Sequence, residues 1–90
     1  MQTIRRYTIS GDVAPGEPKP PEDTLYGGFW VHAYDAAKNY VDLYLGGYTV
    51  VSCRFVKVQM TDKHGLHSLW KCECVDNDKQ LGATLWVREL

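Results

Sequence analysis

The sequence predicts an α+β domain in which one helix packs on one face of an antiparallel sheet of about four to five strands, in the order β-β-α-β-β-β. Three observations carry that expectation. Only the stretch around residues 33–45 of the 90-residue chain places apolar residues on a convincing helical period. The segments on either side are rich in β-branched and aromatic residues. All four prolines fall within residues 10–24, so the chain has one long loop, and the strands after the helix are joined tightly. A chain of this length makes one domain, 1–90, with a modest core.

Residues 3–9, TIRRYTI, read as the first strand, with Arg5 and Arg6 on opposite faces because side chains alternate. Residues 10–24, SGDVAPGEPKPPEDT, hold Pro15, Pro18, Pro20 and Pro21, which forbid helix and disfavour ladder hydrogen bonds. This segment reads as an extended, partly polyproline-II loop made acidic by Asp12, Glu17, Glu22 and Asp23. It joins an edge strand to the body, or it is an arm for a basic partner surface. The second strand is expected over LYGGFWVHAY, residues 25–34, with a bend at Gly27 and Gly28.

In the helix, Ala33, Ala36, Ala37, Tyr40, Val41, Tyr44 and Leu45 form one apolar stripe, and Asp35, Lys38, Asn39 and Asp42 fill the other side. Asp35 is the expected N-cap, and Gly46 and Gly47 the expected stop. The Tyr40 and Tyr44 rings read as a core edge with hydroxyls reaching water. Three strands follow, over 48–60, 67–76 and 81–90, joined by a turn with Gly65 and by the polar NDKQ at 77–80. Apolar phase switches near Phe55–Val56, the pattern of a bulge.

Alternation puts Trp70, Cys72 and Cys74 on one side of their strand and Leu69, Lys71, Glu73 and Val75 on the other. In the last strand Thr84 and Trp86 oppose Leu81, Ala83, Leu85 and Val87. Tight turns would bring Trp70 near Trp86 and Cys53 near Cys74. One helix covers one face, so the second face is left with either the Leu/Val set or the Trp/Cys set, more apolar surface than a solitary domain needs. That predicts burial against a second molecule, a copy of itself or another protein.

Charge is nearly balanced, at −1, which argues against a general nucleic-acid binder and against a wholesale DNA mimic. No apolar run spans a membrane, and MQTIRRYTIS lacks the apolar core of a signal peptide, so a cytoplasmic protein is expected. Cys72 and Cys74 form Cys-x-Cys in mid-strand with no second knuckle, unlike a structural zinc site, and the three cysteines read as thiols. No Walker loop, GxGxxG or oriented nucleophile–base pair is present, so neither cofactor nor catalysis is expected. An RNA- or single-stranded-DNA-binding sheet is the alternative: Trp30, Trp70 and Trp86 could stack bases, with Arg54, Lys57, Lys63, Lys71 and Arg88 near phosphates.

Over residues 29–90, the order of strand, helix bearing DAAK (35–38) and consecutive antiparallel strands ending in VREL (87–90) resembles the small phage-encoded anti-CRISPR proteins. The resemblance implies a stand-alone inhibitor that occupies a surface of a CRISPR–Cas effector in the bacterial cytoplasm without catalysis. It transfers no site residues. The expectation is therefore a non-enzymatic protein-binding inhibitor, with a homodimer as the structural alternative. Trp30, Tyr34, Trp70 and Trp86 are its expected anchors. Asp12, Glu17, Glu22 and Asp23 are expected to steer it toward a basic target.

Overall fold

The computed structural model describes residues 5–13, 16–27, 32–61 and 65–89. Six elements follow one another: β1 (Arg5–Val13), β2 (Asp23–Gly27), α1 (Ala33–Tyr44), β3 (Thr49–Thr61), β4 (Gly65–Val75) and β5 (Leu81–Glu89). The expected order β-β-α-β-β-β is the order found. All strand pairs are antiparallel in one sheet, β2-β1-β5-β4-β3, so the last strand closes onto the first and β2 and β3 form the edges.

Register decides which residues share a face. Cys53 pairs with Cys72, and Cys72 with Leu85, which pairs with Gly11; Phe55 pairs with Trp70, then Val87, then Ile9. These rows lie on the helix side. There Ala36, Ala37, Tyr40 and Val41 bury against Ile9, Cys72, Cys74, Leu85 and Val87. The alanines let the helix axis approach the sheet closely. At Gly11 a Cβ would crowd Pro20 and the Leu85 side chain at 3.0 and 3.1 Å, so glycine is what allows the buried Pro20 to pack over β1.

The expected proximity of Trp70 and Trp86 is corrected by the same register. Trp70 faces Val87, and Trp86 faces Lys71, so the two indoles lie on opposite faces of neighbouring strands. Cys53 likewise meets Cys72 and not Cys74. The second face is consequently mixed and charged. It carries Thr8, Ser10, Asp12, Arg54, Lys57, Leu69, Lys71, Glu73, Thr84, Trp86 and Arg88.

The phase switch at Phe55–Val56 is a register shift between Phe55 and Lys57, and a second shift lies between Val50 and Ser52. Because each bulge inserts one residue, Phe55, Val58 and Met60 all return to the helix side. Gly65 has the positive φ (70°) expected after the turn. A third shift, near Cys74, accommodates Gly82, where a Cβ would overlap the Tyr48 ring.

The helix begins earlier than the expected Asp35 cap. His32 is the N-cap, and its Nδ1 accepts the Tyr34 N–H at 3.1 Å, while the Asp35 carboxylate accepts the His32 N–H at 3.1 Å. This reciprocal pair satisfies the N–H of the N-cap and one N–H of the first turn. Residues 32–34 thus belong to the cap and helix and not to the second strand, which ends at Gly27. The chain stops being helical at Tyr44, and Gly47 takes a φ of 93° in the turn that follows. Losing the Asp35 carboxylate leaves the His32 N–H without its acceptor. Asp35→Ala is expected to lower unfolding stability by about 1 kcal/mol in urea titration, with the denaturant slope unchanged.

Candidate functional site

The loop of prolines is tied to the helix. The Tyr40 hydroxyl donates to the Pro21 carbonyl at 2.5 Å, and the Tyr44 hydroxyl donates to Asp23 Oδ2 at 2.5 Å. This corrects the expectation of a hydroxyl reaching water for Tyr40, whose ring is fully buried; Tyr44 is exposed as expected, and both hydroxyls hold the loop's C-terminal end. The ends of the segment are also strand, since β1 continues to Val13 and β2 starts at Asp23. Desolvation by burial, reinforced by the neighbouring Tyr44, Asp23 and Glu22, pushes the Tyr40 phenol up to about 12. Its hydrogen bond to Asp23 raises Tyr44 as well.

The expected anchors do not form one surface. Trp30 lies outside the described residues, as do Lys63 and His64. Tyr34 sits in the first helical turn with its hydroxyl donating to the Val50 carbonyl at 3.4 Å and Lys38 Nζ over its ring. Trp70 is on the helix side, half-buried between His32 and Phe55, with ring centroids 4.8 and 5.6 Å away. Trp86 is on the open face, its indole N–H donating to Asp12 Oδ2 at 3.3 Å and Lys71 Nζ above its ring. Glu17 and Glu22 are exposed in the loop, while Asp23 Oδ1 accepts the Thr24 N–H and its other oxygen is taken by Tyr44. Asp12 and Asp23 are thereby engaged internally.

Two surfaces remain for a ligand. The first was only partly legible in the strand alternation: the distal half of the β3–β4 hairpin. Pairing of β5 with β4 reaches only Ser68, so Met60 and Leu66 pair with each other beyond the end of β5. On the helix side of the hairpin, running out onto this overhang, Phe55, Val58, Met60 and Leu66 are 49, 56, 75 and 66% exposed. The His32–Trp70–Phe55 ring stack links the start of the helix to that strip, and among the described residues no strand pairs with the outer side of β3. The Trp70 indole N–H is buried and has no hydrogen-bond partner among the described residues.

The second surface is the open face. Two adjacent rows cross it, Arg54–Lys71–Trp86–Ser10 and Lys57–Leu69–Arg88–Thr8. Arg54 and Lys71 are direct cross-strand partners, an arrangement of like charges that costs stability. Asp12 and Glu73 are the carboxylates on this part of the face, although the whole chain carries a charge of −1. The remaining acids lie elsewhere. Asp76, for example, accepts the N–H groups of Asp78 and Gln80 and so organises the β4–β5 turn.

Among the described residues no three His, Cys, Asp or Glu side chains could together hold a metal ion, and no helix is long and apolar enough to cross a membrane. The tyrosine tether has a pH signature. Tyr40 ionises near pH 12 in the fold and near 10 in an open chain, so its contribution is complete below pH 10 and is lost as pH rises through 12. Wild type is expected to exceed Tyr40→Phe by about 1 kcal/mol at neutral pH. That advantage should vanish in strong alkali when both are unfolded with urea and followed by circular dichroism. Compared with known proteins, the chain matches no family model, no curated protein and no solved structure.

Proposed function

We propose that this chain is a non-enzymatic protein-binding module that docks through the β3 edge and the apolar strip Phe55, Val58, Met60 and Leu66. The single observation that carries this reading is that strip, exposed beside a strand edge that no other described strand pairs with. Apolar surface of this kind marks interaction sites, and a free edge supplies the backbone donors and acceptors for an added strand. The occupant is an extended segment of another protein that alternates apolar and acidic side chains. Its apolar side chains lie over the strip, and its acids meet Arg54 and Lys57, since β3 contains no carboxylate. A second copy is a poorer match, because pairing β3 with itself brings these cations together.

Inhibition of a CRISPR–Cas effector in a bacterial cytoplasm is the narrower form of this proposal, and it rests on the resemblance alone. Val58→Glu and Met60→Glu replace exposed side chains and are expected to leave the thermal midpoint unchanged. Each should weaken binding of an extended valine/glutamate peptide at least about tenfold, equivalent to about 1.4 kcal/mol. Amide shifts confined to β3 in the peptide titration would locate the contact. Equal binding of a valine/lysine peptide, or dimerisation of the free protein through β3, would refute the acidic-segment partner. Capture of a stoichiometric, nuclease-resistant effector subunit tests the narrower form separately.

The open face favours a second reading, a site for single-stranded nucleic acid. Arg54, Lys57, Lys71 and Arg88 would follow the phosphates, and Trp86 would offer a ring for a base. On this reading a fluorescent oligonucleotide binds with an affinity that falls steeply with salt. Arg88→Glu should reduce both the affinity and the salt slope, whereas Val58→Glu changes neither.

A further inference from the structure

Cys53 of β3 and Cys72 of β4 are direct cross-strand partners on the helix side of the sheet. Residues so opposed have Cα atoms about 4.5–5.5 Å apart, within the separation a disulfide spans. All three cysteines are thiols in the structure. Side-chain interaction between the two thiols holds Cys53 below the ordinary range and, together with burial, pushes Cys72 above it. Cys53 retains partial solvent exposure, while Cys72 is fully buried. Cys74, also fully buried, faces Val50 and Ala83 instead of a cysteine, and burial pushes its thiol up to about 11.

We propose that Cys53 and Cys72 form a redox-active dithiol that low-molecular-weight disulfides oxidise to a cross-strand bond, with Cys53 as nucleophile and Cys72 as resolving thiol. The Cys53 thiolate attacks one sulfur of the small disulfide; that S–S bond breaks, a mixed disulfide forms, and one thiolate departs and takes up a proton. Cys72 then gives up its proton and attacks Cys53 Sγ. The Sγ–Sγ bond forms and the second small thiol leaves with a proton. Two electrons pass from the cysteine pair to the small disulfide, which ends as two thiols. Cys74 takes no part. The link closes next to the Phe55–Trp70 pair, yet the chemistry does not depend on what the hairpin binds.

The test uses the full chain and oxidised glutathione, with intact mass and peptide mapping. Wild type is expected to lose two of its three free thiols without retaining glutathione, and to yield one linked peptide joining Cys53 to Cys72. Cys74→Ala should behave identically. Cys72→Ala should stop at a stable glutathione adduct on Cys53, and Cys53→Ser should react at least tenfold more slowly. Mapping on wild type does not depend on any variant folding. A stable adduct on wild type, a link through Cys74, or three unreacted thiols would overturn the proposal.

Discussion

A twelve-residue helix is about 18 Å long, and here it has five strands to cover. The thirteen-residue β3 alone extends about 43 Å, close to the 42 Å of the longest molecular axis. Everything else in the fold adjusts to that mismatch. Where α1 lies on the sheet, alanines bring it close and the cross-strand rows ending in Ile9, Gly11 and Leu85 are sealed. Past the first turn of α1, cover passes to a stack of rings, His32 on Trp70 on Phe55, in which each edge-to-face contact is worth about 0.5–1.5 kcal/mol beyond its area. Beyond Phe55 the strip on the overhanging hairpin is exposed. The apolar surface is therefore a consequence of length and not of composition.

The same shortage of cover explains the use of the tyrosines. Although α1 touches both β1 and β2, the chain between those strands also folds inward and adds cover at that end of the sheet. Pro20 fills the space that Gly11 leaves open, and the hydroxyls of Tyr40 and Tyr44 hold Pro21 and Asp23 in place. Such bonds have a modest net worth, about 0.5–1.5 kcal/mol each, but leaving a buried phenol unpaired costs more. Asp23 is thus committed to the fold, which limits the acidic charge the loop can present outward to Glu17 and Glu22.

Much of the architecture was legible because it is local. The alanine and tyrosine spacing defines α1, the β-branched runs define β3 to β5, and the slip at Phe55–Val56 exposes a bulge. What escaped depends on long-range partners. The period-2 pattern separates Trp70 from Lys71, but only the β4–β5 register, one residue different from that expected, sends Trp70 and Trp86 to opposite faces. The N-cap was misplaced because Asp35 does supply a capping carboxylate, though from inside the first turn, while His32 occupies the cap itself. The Tyr40 and Tyr44 partners are 19 and 21 residues away in sequence, beyond any periodicity. The exposed strip is half visible in the sequence: alternation alone puts Val58 with Met60, but without the inserted residue Phe55 falls on the other face.

An exposed apolar edge is an aggregation hazard, and β3 carries the devices that restrain it. Arg54 and Lys57 place charge on the strand, and the two bulges at Val51 and Val56 interrupt the regular spacing of backbone groups along it. A flat, uninterrupted strand would pair with any other; this one presents short stretches of ladder set apart by extra residues. The same features that discourage indiscriminate pairing would make a true partner specific. It must match the spacing set by the bulges, bring apolar side chains to Val58 and Met60, and place acid near Arg54 and Lys57. On the proposed reading, selectivity arises from what the edge rejects as much as from what the strip attracts.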